Sequence, residues 1–417
     1  MIRQLRISIR HILTTLVILF LAFPSVATQK RDSIVVSLLT AWPGPEVYQL
    51  CGHSAIRIRG AEVDSVWNYG VFDFDEPNFV YRFVKGETDY MLVGYPTMWF
   101  MPEYLSEGRK VLEQDLNLTQ DEAWELRSLL QTEALPQNRT YRYNYVKDNC
   151  ATRITDRLAQ ATDARLIFPD TIAYGTFRRE MRAFHRDYPW YQFGIDLALG
   201  SGLDRELRAN EEMFVPTVMS DRYAGATLSD GRRLVSDTRQ LTPDSGHATL
   251  PPTPRYLTPN FWSVICFILM AAFSVFMAWK RRILRWLYCL WFALIGLGGC
   301  VISFLVFASD HEATSPNMLL LWLNPLQLIV AVCVWWPRAH WPVNIMAWYN
   351  IVVLGILLII WPFQLQSANP AFFPLMGATL ALSIAYAILD YKQSYNINSK
   401  IHNKTTKPKR QPAKRKR

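Results

Sequence analysis

The chain has 417 residues, 50% of them hydrophobic, with 15 Trp and a formal charge of +9. Ten basic residues and no acidic ones follow Ile388-Leu389-Asp390, one more than the whole excess, so residues 1–390 carry a net −1. A nearly neutral folded part excludes a basic nucleic-acid-binding domain, and the apolar content excludes a chain disordered throughout.

At the N-terminus, Arg3, Arg6 and Arg10 precede an apolar run from Ile12 to Phe23 and then Ser25-Val26-Ala27. A basic region, a short apolar core and a small-x-Ala site describe a secretory signal over residues 1–27. An uncleaved anchor helix is the alternative, although Ile12–Ala27 is short for a span.

Residues 28–245 read as an exported domain. Ser33–Leu39 predicts a strand with Ile34, Val36 and Leu38 on one face. His53–Arg59 alternates as a second strand, and Ser65–Phe74 is a third, rich in β-branched and aromatic types. Thr119–Leu135 predicts a helix that opens with the capping box Thr119…Glu122. Tyr141–Val146 then leads into a helix beginning near Cys150. The expected fold class is α+β, with helices segregated around an antiparallel sheet.

Residues 246–260 hold Pro251, Pro252, Pro254 and Pro259, a semi-rigid tether. Beyond it, within residues 261–390, lie five apolar stretches: Phe261–Trp279, Leu284–Phe307, Met318–Trp336, Val343–Trp361 and Ala371–Leu389. Each approaches the ~20 residues that a spanning helix needs. With the preceding domain outside, Lys280-Arg281-Arg282 and Arg285 fall inside, and Asp310-His311-Glu312 falls outside. Arg338 and His340 are then inside, Gln364–Pro370 outside, and the basic tail 391–417 inside, so every loop obeys the positive-inside rule. The expected location is the inner membrane, multi-pass, with a periplasmic N-terminal domain and a cytoplasmic tail. Asn324, Gln327 and Asn350 lie in or near spans, where interhelical hydrogen bonding is the expected role.

Six cysteines occupy positions 51, 150, 266, 289, 300 and 333. Four fall in the apolar stretches, where a free Cys acts as a small hydrophobe. For the exported pair, one reading is a disulfide between Cys51 and Cys150. The other makes Cys150 a nucleophile. In Asp148-Asn149-Cys150-Ala151-Thr152-Arg153 a side-chain cap precedes the Cys, placing its thiol in a first helical turn. There the dipole and free N–H groups lower a thiol pKa and can receive an oxyanion.

A base is available in Cys51-Gly52-His53-Ser54-Ala55-Ile56. A turn near Gly60-Ala61 returns the chain as Val66-Trp67-Asn68-Tyr69 and pairs His53 with Asn68 on one side of the sheet. A polar partner holds one ring nitrogen and leaves the other for the thiol. A shift of a residue or two in register brings Asp64, Asp73 or Tyr69 forward in place of Asn68.

These segments resemble a known family. Pro43–Gly70, Tyr69-Gly70-Val71-Phe72-Asp73-Phe74, Asn144-Tyr145, Asp148–Arg153 and Gly200–Pro216 look like the N-terminal periplasmic domain of the Bacteroidota lipoprotein N-acyltransferase family, Lnb. The resemblance covers most of residues 30–220, and the following spans match the family's layout. It implies a circularly permuted papain-like domain in which the His strand precedes the Cys helix, followed by five transmembrane helices. Cys150 would be the nucleophile and His53 its base; Asn68 rests on the hairpin argument and on analogy with the third polar residue of papain-like enzymes. Position 51, where the family pattern leads one to expect an aromatic, is Cys.

The implied reaction takes an acyl chain from a phospholipid, through a Cys150 thioester, to the α-amine of a diacylated lipoprotein. The membrane is a further partner; no nucleic acid, cofactor or metal is implied. Tyr95–Tyr104, with Trp99 and Phe100, is apolar enough to line an acyl groove or dip into lipid, or to form an ordinary buried strand or loop. Two other readings use the same residues: a membrane-tethered cysteine peptidase or amidase of the cell wall, and a non-catalytic scaffold with a Cys51–Cys150 disulfide. His185 reads as a surface or helix-end residue, and Asp73, Asp75 and Glu76 lack the spacing of metal ligands.

Overall fold

The structure, a computed structural model, describes residues 32–73, 75–169, 175–243, 252–363 and 366–405. The expected signal segment 1–27, Phe74, Pro251 and the end of the basic tail lie outside the described residues.

The first half is built on an antiparallel sheet. In chain order the elements are β1 (Ile34–Ala41), β2 (His53–Gly60), β3 (Asp64–Val71), α1 (Phe79–Lys85), β4 (Asp89–Pro96), α2 (Thr97–Ser106), β5 (Val111–Leu116), α3 (Gln120–Glu133), β6 (Thr140–Arg142) and α4 (Cys150–Ala161). There follow β7 (Leu166–Ile167), α5 (Phe177–Phe184), α6 (Pro189–Ala198), α7 (Pro216–Gly225), β8 (Thr227–Leu228) and β9 (Val235–Gln240). Seven strands form one sheet in the order β6-β4-β3-β2-β1-β5-β9. The β1–β2–β3 meander follows from alternation: Val36, Leu38, Ile56 and Ile58 share one face and pack on Leu126, Leu130, Ile154, Leu158, Met219 and Tyr223 of α3, α4 and α7. On the opposite face Leu39, Ala55 and Val66 meet Phe100 and Tyr104 of α2. The expected box at α3 is present, with Thr119 Oγ1 accepting from Glu122 N–H and Glu122 accepting from Thr119 N–H.

The second half is a helical bundle: α8 (Pro259–Lys280), α9 (Arg285–Phe307), α10 (Gln327–Cys333), α11 (His340–Ile360) and α12 (Phe372–Thr405). Among the described residues four helices, α8, α9, α11 and the first part of α12, are long and apolar enough to cross a membrane. The third expected span, Met318–Trp336, is not a continuous helix. It consists of a 3-10 turn at Met318–Leu321, a break at Asn324-Pro325, and the short α10. Pro325 has no N–H to donate and disfavours helical geometry in Asn324. Such irregular backbone survives in a bundle only when other protein covers it. Here α9 does so through glycines: a Cβ on Gly299 would lie 2.4 Å from the Asn324 carbonyl carbon, and one on Gly296 would lie 2.9 Å from the Leu328 nitrogen.

Polar groups inside the bundle are paired as expected for Gln327 and Asn350. Gln327 Nε2 donates to Asn350 Oδ1 at 2.7 Å, and Asn350 Nδ2 donates to Gln327 Oε1 and Ser383 Oγ, each at 3.2 Å. Asn324 Nδ2 reaches only carbonyls of its own segment, those of Leu321 and Trp322.

Two loops of the bundle grip the sheet half. Lys147 pairs with Glu312 at 2.7 Å, and Gly200 N–H and Ser201 N–H donate to the Ala313 and Pro316 carbonyls. Asn369 Nδ2 donates to Asp196 at 3.0 Å, and Arg182 donates to Ser367 Oγ at 2.7 Å. At the far end of the bundle His340 pairs with Asp390 at 3.2 Å. The chain therefore passes from the sheet-side end, at residue 317, to the far end, at residue 340, through the broken segment.

Candidate active site

Cys150 is the first residue of α4, and the motif around it is a helix-start device. Asn149 accepts from Ala151 N–H and Thr152 N–H at 2.9 and 3.0 Å, while its own N–H donates to Thr152 Oγ1 at 2.8 Å. Its amide nitrogen donates to the Tyr145 and Phe214 carbonyls, tying the cap to the preceding loop and to the segment before α7. Asp148 and Arg153 flank this cap as a bidentate pair at 2.6 and 2.8 Å. Arg153 also reaches Glu133 of α3 at 2.9 Å and lies 3.5 Å over the Tyr141 ring. Asp148, Asn149, Thr152 and Arg153 thus each have a mechanical reason to be there.

The start of β2 meets this helix end. Cys150 is hydrogen-bonded to the His53 ring and receives the N–H groups of Ser54 and Ala151. His53 Nε2 bonds to Asn68 Oδ1, and Asn68 Nδ2 donates to Tyr95 OH at 2.8 Å. Burial opposes a charged Cys150, but the facing imidazolium and the three hydrogen bonds outweigh it, holding the thiol below its ordinary value of 9.0. For His53 burial again works against charge, and the Cys150 thiolate with the Cys150 and Asn68 hydrogen bonds raises the imidazole above 6.5. Each group therefore shifts the other toward its charged form.

The expected pairing is corrected in register. β2 and β3 pair Ile56 with Trp67 and Arg57 with Val66, two positions from the expected alignment, so that Asn68 falls beside Ala55. A shift of two leaves every side chain on its face, so His53 and Asn68 still meet, as diagonal neighbours. The alternatives to Asn68 are engaged elsewhere. Asp64 pairs with Arg57 at 2.7 Å, Tyr69 OH donates to Glu133 at 2.7 Å, and Asp73 accepts the Asp75 N–H at 2.9 Å.

Cys51 and Cys150 are both free thiols. Cys51 Sγ lies 2.9 Å from Tyr145 OH, and burial pushes its thiol up to about 11. The two thiols are therefore opposite in character.

Trp99 and Phe100 part company. Their segment is the last two residues of β4 followed by α2, where Trp99 is 68% exposed whereas Phe100 is 3% exposed, packed 4.7 Å from Tyr104. Phe100 is a core residue beneath the sheet, because successive residues of a helix point about a quarter-turn apart. His185 follows α5 as a helix-end residue, but it is fully buried against Tyr191 rather than on the surface, and burial lowers its imidazole to about 4. Tyr95 and Tyr145 fall in segments already singled out in the sequence, but neither was given a role at the site. The Asp148…Arg153 bracket was legible in principle, as opposite charges around a cap.

Two family models match the chain: Lnb N-terminal periplasmic domain over residues 24–178, and Lnb transmembrane domain over residues 252–394. Together they cover more than half of it. Neither a curated protein nor a solved structure matches.

Proposed function

We propose, for a chain that belongs to the Lnb family, that it is a lipoprotein N-acyltransferase working through Cys150 in a circularly permuted papain-like domain. The order supports this reading, with the His53 strand preceding the Cys150 helix. The observation that carries it is the Cys150–His53–Asn68 arrangement, an activated thiol on a periplasmic domain clamped to a membrane bundle.

The thiolate attacks the carbonyl of a phospholipid ester. The new C–S bond forms as the C–O bond breaks, and the departing alkoxide takes the proton held by His53, leaving a lysophospholipid. The α-amine of a diacylated lipoprotein then attacks the thioester, forming the C–N bond. His53 accepts the amine proton as the C–S bond breaks and Cys150 returns as thiolate. Ser54 N–H, which lies beside the sulfur, is the group best placed to receive the carbonyl oxygen as it becomes negative.

The basic tail belongs on the cytoplasmic side. The bundle loops at residues 309–317 and 366–369 touch the periplasmic domain, and the His340–Asp390 pair lies at the opposite end. The test is mass spectrometry of lipoprotein N-termini in a strain lacking any other N-acyltransferase. Wild type is expected to yield N-acylated Cys, and Cys150→Ser and His53→Ala only the free amine; acylation by Cys150→Ser overturns the reading. Release of free fatty acid or cleaved cell-wall peptide instead of transfer would assign the same residues to a hydrolase.

A further inference from the structure

A row of aromatic rings runs from the membrane bundle to the core cluster that contains Cys150. Its outer end is α1, an excursion between β3 and β4 that is docked on the loop where α9 ends. At the C-terminal end of α1 the carbonyls of Phe83, Val84 and Lys85 accept from the His311 ring, Ser309 Oγ and Asp310 N–H at 2.7, 3.0 and 2.8 Å. Tyr81 lies 6.2 Å from Phe304 of α9. No residue of α1 is buried, and Val80 is 73% exposed beside a bundle end where Phe307 is 78% exposed. An apolar face on a seven-residue helix would be a liability in water. Next to the lipid-facing end of a span it continues the apolar surface.

From α1 the rings proceed inward in single steps. Phe83 stacks on Phe79 at 6.0 Å, and Phe79 on Phe72 at 5.7 Å. Phe72 meets Tyr90 at 5.1 Å, and Tyr90 stacks on Tyr143 at 4.5 Å. Tyr143 packs against the core cluster that contains Cys150, and burial together with the Cys150 charge raises its phenol. Apart from exposed Phe83 the rings of the row are half-buried, so they line a surface without filling the core. None of the five was part of an expected site, and the row lies away from Trp99, whose helix packs on the other face of the sheet.

We propose that this row is an acyl-chain track, along which a chain of a phospholipid leaves the outer leaflet at α1 and reaches Cys150. The inference rests on the acyl-transfer reading of the site. Continuity with the lipid-facing surface of α9 decides the occupant. The outer rings of the row, Phe83, Phe79 and Phe72, offer no hydrogen-bonding group, and phenols enter the row only at Tyr90 and Tyr143, which suits a hydrocarbon chain better than a peptide backbone.

The test uses the full chain in phospholipid vesicles carrying a trace of phospholipid with a diazirine on its acyl chain. Cys150→Ala is used there, so that labelling does not depend on turnover. Label is expected on peptides holding residues 72–90 and 143; label confined to the spans overturns the track. In otherwise native protein, Phe72→Ala and Phe79→Ala are expected to slow transfer from long-chain phospholipid about tenfold or more. Acylation of Cys150 by p-nitrophenyl acetate should change less than about twofold in the same variants, and Phe79→Leu should recover most of the rate. Equal losses with both donors, or none with the long-chain donor, overturn the track. If wild type never forms acyl-Cys150 from any donor, the acyl-transfer reading fails, and the photolabel still decides whether a chain occupies the row.

Discussion

Two polar centres withdrawn from solvent, one at the joint between the halves and one at the end of β2, show how differently burial is resolved. At the joint, Arg178 of α5 has its donors taken by Asp204 at 2.9 Å, Asp196 at 3.1 Å, and the Leu199 and Gly200 carbonyls at 3.0 and 2.7 Å. Asp196 also receives Arg182 and Asn369, so the cluster fastens α5 and α6 to a bundle loop. Charge there is balanced by fixed charge, and nothing is left to react. At β2, Cys150 and His53 are two titratable groups that shift each other toward charge, and Asn68 holds the ring by one nitrogen. A saturated cluster gives rigidity, whereas mutually shifted titratable groups are the pattern on which the proposed chemistry rests.

Cys150→Ser is the sharpest way to break this contrast. Transfer is expected to fall by at least about a thousandfold while the domain stays folded. Initial rates and circular dichroism check both halves; a modest loss would place the chemistry elsewhere. Arg178→Ala is expected to do the reverse, lowering stability by about 3–5 kcal/mol because Asp196 and Asp204 lose a buried partner. Thermal unfolding in detergent measures it, and an unchanged midpoint with lost transfer would move Arg178 from the joint to the chemistry.

The third expectation concerns pH. The Cys150 thiol lies below its ordinary value, so its contribution to stability is present above the unfolded value and lost as pH falls through the folded one. The raised His53 contributes below 6.5 and loses that contribution as pH rises through its folded value. Alkylation of Cys150 should therefore rise with pH through a midpoint below 9.0. His53→Ala should move that midpoint upward, because burial then acts with less opposition. A midpoint unmoved by His53→Ala would dissolve the pair. The smallest effect is expected in the bundle. Gln327→Leu removes a neutral interhelical pair worth about 0.6 kcal/mol, and at most about 2. Transfer rates should barely change, and a large loss would show that the Gln327–Asn350 pair works in the reaction.

Much of this molecule was legible because its signals are local. The Thr119 box, the Asn149 cap, the alternation of β1 and β2, and four of the five apolar stretches each depend on neighbours a few residues apart. His53 and Asn68 were found through an alignment that was off by two. The error was harmless because side chains alternate with a period of two, and an error of one would have separated them. The third apolar stretch misled because hydropathy counts residues and is indifferent to a Pro325 that glycines of a neighbouring helix make tolerable. Phe100 misled because an apolar run does not say which of its residues points inward.

By itself the sequence determined that an exported half precedes a membrane half, since charge and hydropathy act residue by residue. It also determined that Cys150 starts a helix, since a cap is built from adjacent residues. Only the tertiary structure decided what Cys150 faces, that Tyr95 supports Asn68, and that rings from α1, β4, the residue after β3 and the loop before α4 line up between the bundle and the cluster that holds the thiol. Those arrangements join residues dozens of positions apart, and sheet order, register and docking of the two halves bring them together.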